Sequence, residues 1–298
     1  MRATGYLPLV SVLVVSYNVR DLRLEARETL FQSGDVELEV VVVDHASADG
    51  SAAAVAERFP HVRVIRMQSN VGFGRANNAG LSQCTGRYIL LLNPDVKVSP
   101  ECIARMADFL LVRSEAGAVS PRLMRPDGNL DLAARRSFPT PSVAMYRILG
   151  LSRMFPRSRR FGRYNMGHVS ASEVHEIDSG TGACLLIRRA AIERVGFVDP
   201  DYFMYGEDLD LCFRIKEGGW KVYYLPSAVA LHLKGESSRQ ATQRMLWEFH
   251  SAMWTFHDKH YADDLPAFIN GVVWAAIWVR WIVLALRATA MRDARVSA

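Results

Sequence analysis

Four short apolar runs, each followed by a polar cluster, set the architecture open to this chain. Residues 10–15, 38–43 and 88–92 are near-continuous apolar runs, the pattern of strands covered on both faces in a parallel sheet. Residues 62–67 read as a further strand. Helices are expected between them, at 22–31, where Leu22, Ala26, Thr29 and Leu30 keep helical spacing, at 51–59 and at 73–84. Another follows at 100–112, with Ser99 as its N-cap. Alternation of strand and helix predicts a doubly wound α/β sheet, whose ligands lie beyond the carboxyl ends of the strands.

The polar clusters stand at those ends. They are Ser16-Tyr17-Asn18, Asp44 in the run to Gly50, Asn70 to Gly74, and Asn93-Pro94-Asp95. Four such clusters on neighbouring strands imply one shared crevice. Gly72, Gly74 and Gly80 do not complete GxGxxG, and no GxxxxGK[ST] occurs, so Rossmann redox and P-loop chemistry are unsupported. These glycines suit a tight turn, or backbone contact with a diphosphate. Asp95 suits either an Asx turn after Pro94 or a hard divalent cation beside a diphosphate.

The second half is less regular. A turn signal at 125–129 lies between two candidate strands, and a strand is expected at 183–187. A helix at 207–217 ends at Gly218-Gly219, a strand at 221–225 precedes His232, and helical spacing returns at 240–257. Glu207-Asp208-Leu209-Asp210 opens the helix behind the aromatic run 202–205. Acids there complement the helix dipole, and Asp210 is spaced to pair with Arg214. Asp208 lacks such a partner, and a carboxylate beside bulky apolar groups gains proton affinity and suits a general base.

Charge and cysteine use narrow the classes further. The formal net charge is +5, and residues 147–163 hold six arginines and no acid. The basicity is therefore a local patch, which removes the case for a nucleic-acid partner. Cys84, Cys102, Cys184 and Cys212 form no CxxC pair and read as buried, reduced thiols. The run after Arg2 is β-branched and lacks a small-x-small cleavage site, so it reads as a strand, not a secretory signal. Residues 265–286 carry only Arg280 and are just long enough to span a bilayer. Trp274, Trp278 and Trp281 fall on one stripe, away from Arg280 and Arg287, which suits docking at a lipid interface, with a bilayer span and ordinary packing against the domain as the alternatives.

In chain order the motifs are Val-Ser-Tyr-Asn at 15–18, Val-Asp-His-Ala-Ser-Ala-Asp-Gly at 43–50, and Asn70-x-Gly72-Phe-Gly74-x-Ala76-Asn77-x-Ala-Gly80. Asn93-Pro94-Asp95, Gly180-Thr-Gly-Ala-Cys184, Phe203-Met-Tyr-Gly-Glu207-Asp208-x-Asp210 and His232-x-x-Gly235-x-Ser237 complete the set. Together they resemble glycosyltransferase family 2, a large inverting family, over residues 10–238, and within it the non-processive rhamnosyltransferase-like branch. The resemblance implies a GT-A fold: an α/β unit with a Rossmann-like, mostly parallel central sheet flanked by helices, here with a C-terminal helical extension. It implies that Asp44 hydrogen-bonds the pyrimidine of a nucleotide sugar in a pocket shaped by Ser16, Tyr17 and Asn18. Asn70 and Gly72 would lie beside the nucleotide, with Arg75 near its phosphates. Asn93 and Asp95 match the family's Asp-x-Asp metal motif, with Asn93 in place of the first acid. Asp95 and His232 would then hold Mg2+ or Mn2+, and the diphosphate would supply much of the coordination. Asp208 matches the catalytic base, with Glu207 beside it. No QxxRW motif of processive synthases occurs, which favours transfer of one sugar per encounter.

The expected organisation is a catalytic domain at 1–238, divided near 120 into donor and acceptor halves, and a membrane-associating helical extension at 239–298. The expected reaction is transfer of L-rhamnose from dTDP-rhamnose to a lipid-linked saccharide in cell-surface polysaccharide synthesis. It would occur at the cytoplasmic face of the cell membrane, with peripheral contact to anionic lipid. The alternatives are a UDP-hexose or UDP-N-acetylhexosamine transferase and an inactive nucleotide-sugar-binding scaffold.

Overall fold

The computed structural model describes residues 9–18, 29–30, 36–233 and 242–296. Strands β1 (Leu9–Ser16), β2 (Glu37–Asp44), β3 (Arg63–Arg66) and β4 (Tyr88–Leu92) lie parallel in the order β3-β2-β1-β4. Val12, Val41, Val42 and Leu90 are fully buried, as strands sandwiched between helical layers require. Ser16 stands opposite Asp44, and Asp44 opposite Arg66. The strands therefore end level, and their polar clusters share one edge.

Helices α1 (Ser51–Arg58), α2 (Phe73–Leu81) and α3 (Cys102–Val112) follow the expected alternation. The helix expected at 22–31 lies outside the described residues apart from 29–30. Ser99 does not cap α3: its carbonyl accepts the Cys102 N–H at 2.9 Å, so Pro100 and Glu101 form a turn before the helix starts.

The remaining strands are β5 (Val96–Val98), β6 (Ala116–Met124), β7 (His175–Ile177), β8 (Cys184–Arg188) and β9 (Lys221–His232). They continue the sheet as β4-β8-β6-β9-β5, with β7 on β9. The parallel run holds up to β4, and β8 enters antiparallel to it. β9 continues seven residues past the expected strand end at 225, to His232. Its register on β6 jumps between Pro121 opposite Leu225 and Arg122 opposite Val229, so a bulge absorbs Pro226, which has no ladder donor to give.

Two short helices, α4 (Pro141–Ile148) and α5 (Leu151–Met154), and then α6 (Arg189–Val195) precede α7 (Glu207–Glu217). Asp210 pairs with Arg214 at 2.7 Å as expected, and it also meets His260 Nε2 at 2.8 Å. His260 lies on α8 (Thr242–Tyr261), whose buried Phe256 packs against Phe138 and Phe213. α8 is therefore fastened directly to the helix that carries Asp208. The last helix, α9 (Ala267–Val296), is long and apolar enough to cross a membrane by length and composition.

The tryptophan stripe does not face outward as expected for a lipid interface. Trp278 and Trp281 pack on Trp247 of α8, with ring centres 4.6 and 5.3 Å away, and Trp274 extends the stripe half exposed. Arg280 also turns inward, toward His250. The outward face of α9 carries Phe268, Val272, Val279, Ile282, Val283 and Leu286 instead. All four cysteines are buried and unbridged.

Candidate active site

A cavity of about 1000 Å³ runs from the ends of β1, β2 and β4 to α8 and α9. Ser16, Tyr17, His45, Asn70 and Asn93 form its strand-end wall; Glu207, Asp208 and His232 also line it, and Arg147 and Phe249 belong to its helical wall. That volume stands at the upper end of the range of small-molecule sites.

At the strand ends, backbone geometry decides the shape. Asn18 adopts a left-handed conformation (φ 48°). Its N–H donates to Ser47 Oγ at 3.0 Å and its Oδ1 accepts from the Ala48 N–H at 2.9 Å, which stitches the β1 loop to the β2 loop. Asp44 is buried and accepts from the Ser47 N–H at 3.1 Å, behind the cavity wall rather than in it. His45 reaches the wall where Asp44 does not. Its Nε2 accepts the Val71 N–H at 2.9 Å, and burial lowers its pKa by more than the Asp44 charge raises it, so the ring is neutral. Ser16 Oγ is buried with no hydrogen-bond partner among the described residues. Arg75 is exposed on α2, outside the cavity wall.

Gly72 has a different task from the one its motif suggests. At φ 94° it brings the loop so close to Phe203 that a Cβ would stand 2.9 Å from the Phe203 carbonyl oxygen. The Phe73 N–H donates to that same oxygen at 2.7 Å. The Asn70–Gly74 loop is thus locked to the segment leading into α7.

Asp95 and His232 meet across the β5–β9 pairing, where Val96 stands opposite His232. Asp95 Oδ1 lies 3.4 Å from His232 Nε2, and Asp131 Oδ2 lies 3.1 Å from His232 Nδ1. Burial opposes charging of this ring, but the hydrogen bonds to Asp131 and Asp95 outweigh it and hold the His232 pKa above its usual value. One carboxylate oxygen and one imidazole nitrogen converge here, a donor pair that fits Mg2+ or Mn2+ with the remaining positions filled from outside the protein. Among the described residues no cluster of three such side chains could enclose an ion alone. Asp131 had no sequence signal: it follows the turn at 125–129 and reaches His232 across 101 positions.

Tyr205 (φ 71°) and Gly206 (φ 80°) are consecutive left-handed residues, a costly conformation that turns the chain sharply into α7. They leave Glu207 and Asp208 in its first turn. Asp208 Oδ2 accepts from Arg136 at 2.8 Å and from the Gly182 N–H at 3.1 Å. Its neighbour Glu207 gains proton affinity. Burial, reinforced by the Asp208 charge, pushes the Glu207 pKa up to about 8, and Glu207 Oε2 has no partner among the described residues. The Arg136 cation sits beside Asp208, and that pairing raises its own pKa despite burial. It also donates to the Gly180 carbonyl. Nothing in the local pattern around Arg135-Arg136 distinguished it from a surface arginine.

Glu207 makes one testable contribution to stability. Between its usual 4.5 and about 8 the folded chain binds a proton here that the unfolded chain does not, so stability falls as pH rises through that window and levels off above it. Glu207→Gln should remove this part of the slope. Thermal melts from pH 5 to 9 will check it, and parallel curves for variant and parent would overturn it.

The sequence matches the family described as Glycosyl transferase family 2 over residues 11–196. It is 32% identical over 235 residues to the N-acetylglucosaminyl-diphospho-decaprenol L-rhamnosyltransferase of Mycobacterium tuberculosis, covering 75% of this chain and 76% of that protein. It is 27% identical over 181 residues to the rhamnosyltransferase WbbL of Escherichia coli, 56% of this chain and 63% of the relative. Among solved structures, the mannosyltransferase PcManGT from Pyrobaculum calidifontis in complex with GDP-Man and Mn2+ superposes with a TM-score of 0.60 at 19% identity. That match covers 98% of this chain and 80% of the other. S. aureus TarS 1–349 in complex with UDP gives a TM-score of 0.57 at 16% identity, covering 90% and 70%. The motifs, the sheet and these likenesses agree: the chain belongs to glycosyltransferase family 2 and has its GT-A fold.

Proposed function

We propose that this glycosyltransferase moves one L-rhamnose from dTDP-rhamnose, with inversion, to a hydroxyl of a lipid-linked saccharide at the cytoplasmic face of a membrane. The observation that carries the reading is the single cavity joining the strand ends to an apolar, arginine-bearing wall, with Glu207 and Asp208 on its lining. The activity by which the mycobacterial relative is named supports both the rhamnosyl donor and a lipid diphosphate acceptor.

In this reading the strand-end loops hold the nucleotide, and Asp208 takes the proton of the acceptor hydroxyl as it attacks the anomeric carbon. The nucleoside diphosphate leaves on the opposite side. Gly182 and Arg136 occupy Asp208 Oδ2, and Oδ1 accepts the Leu209 N–H at 2.8 Å, so it is the less crowded oxygen and the one that would face the acceptor. Glu207, protonated near neutral pH, can donate a hydrogen bond beside it. A bound Mg2+ or Mn2+, held by Asp95 and His232, would offset the charge developing on the leaving diphosphate. The outward apolar face of α9, with exposed Met145, Ile148, Leu149, Met154 and Phe155 around α4 and α5, supports contact with a lipid surface. Arg153, Arg157, Arg159, Arg160 and Arg163 suit its anionic headgroups.

Thermal stabilisation by a panel of nucleotide sugars with Mg2+, followed by assays of transfer to a prenyl-diphosphate-linked N-acetylglucosamine, tests the reading. Stabilisation and transfer with dTDP-rhamnose are expected; a response confined to UDP-sugars would replace the donor. Asp95→Ala should weaken metal-dependent donor binding by at least about tenfold, since even an outer partner of a metal ligand is worth about 10- to 100-fold in metal affinity. Titration of the donor with and without Mg2+ measures this, and an unchanged metal dependence would remove Asp95 from the site.

A further inference from the structure

We infer that Arg147 and Arg280 form a subsite for the diphosphate of a prenyl-diphosphate-linked acceptor, at the helical wall of the cavity. This rests on the proposed lipid-linked acceptor and adds the residues that would recognise it. Five arginines line the cavity. Three already face a carboxylate: Arg125 lies 3.7 Å from Asp131, Arg136 2.8 Å from Asp208, and Arg244 3.6 Å from Glu248. Arg147 and Arg280 meet none among the described residues.

What they do meet leaves their charge intact. Arg147 lies over the Tyr164 ring at 4.4 Å. Arg280 donates to His250 Nε2 at 2.8 Å, and His250 Nδ1 lies 2.7 Å from the Leu246 carbonyl. Nδ1 must donate to that carbonyl, so Nε2 is a neutral acceptor. His250 is fully buried, and burial holds its pKa low. A neutral, buried ring therefore aims the Arg280 guanidinium without cancelling it. The two arginines come from α4 and α9, separate elements, and both line this one cavity; the Arg147 charge also adds to burial in lowering the Arg280 pKa.

Two like charges on the wall of one cavity, neither facing a carboxylate among the described residues, are stabilised by an anionic ligand. Paired guanidinium groups match the oxygens of a diphosphate. Ile148, Met245, Phe249 and Met253 line the same cavity and provide apolar surface for the first isoprene units. The donor's diphosphate belongs beside Asp95 and His232, so an anion here comes with the acceptor.

The test uses the full chain with its donor site filled by Mg2+ and the nucleoside diphosphate of whichever donor the screen selects. Farnesyl diphosphate is the probe, with inorganic diphosphate and phosphatidylglycerol vesicles as separate arms. Arg147 is exposed, so Arg147→Gln leaves the packing in place; Arg147→Gln with Arg280→Gln is the stronger variant. Each should weaken farnesyl diphosphate at least tenfold, with nucleotide and vesicle binding unchanged. Farnesyl diphosphate affinity that is absent in the parent, or unchanged in Arg147→Gln, overturns the subsite. Loss confined to vesicle binding overturns it too, and makes the pair a headgroup contact. Arg147-dependent probe binding without rhamnosyl transfer would sink the donor reading alone.

Discussion

Asp208→Asn is expected to lower turnover about 10²- to 10⁴-fold, the usual worth of a positioned general base, while donor binding persists. The separation follows from geometry: the strand-end loops belong to β1, β2 and β4, whereas Asp208 opens α7 in the second half of the chain. The same substitution carries a structural signature. Arg136 is largely buried and paired with Asp208, and removing one partner of a buried ion pair leaves an uncompensated charge worth about 3–5 kcal/mol. Asn keeps an oxygen for the Gly182 N–H and for part of the Arg136 contact, so the loss should fall below that figure. Steady-state kinetics, isothermal titration with donor nucleotide and thermal melts separate the two effects. Turnover within a few-fold of the parent would remove Asp208 from the chemistry, whatever the melting temperature does.

The second large effect is expected at Gly72, a residue without a reactive group. A side chain at φ 94° is strained by about 1–3 kcal/mol, and the added Cβ would press on the Phe203 carbonyl and ring. Overpacking at such a contact costs about 1–3 kcal/mol more. Gly72→Ala should therefore destabilise the chain by about 2–6 kcal/mol and shift the segment that leads through Tyr205 and Gly206 to Asp208. Both the donor KM and turnover should deteriorate, because one contact joins the Asn70–Gly74 loop, which the proposed reading places at the nucleotide, to the segment entering α7. A variant with normal melting temperature and kinetics would show that Phe203 can retreat freely.

What could be read in the sequence follows how far apart the cooperating residues lie. The strand-end clusters were legible because each apolar run carries its own polar terminator, so Ser16, Tyr17, Asn70 and Asn93 could be placed on one edge without knowing any contact. The Glu207–Asp210 cluster was legible for a similar reason: it is contiguous and starts a strongly patterned helix. Asp131 and Arg136 had no such help. Both lie between the turn at 125–129 and α4, and their partners are 101 and 72 positions away. A candidate strand was legible directly before the turn at 125–129, but the start of β6 was obscured by Gly117, Ser120 and Pro121, residues that weaken a strand. Trp278 and Trp281 show the reverse error. Their stripe was correctly periodic, but periodicity alone does not say whether lipid or another helix, here Trp247 on α8, covers it.

The bulge at residues 226–228 turns β9 into a ruler. Before it, the strand is paired with β6 and β7 deep in the sheet; after it, the same strand carries His232 to Asp95 through pairing with β5. Side chains alternate faces along a strand, so a single residue gained or lost between the bulge and position 232 would turn His232 away from Asp95 and Asp131 while altering none of the three. Bulges absorb length changes more readily than paired segments do. In this chain, therefore, the spacing after residue 228 is constrained as tightly as the identity of the histidine it delivers.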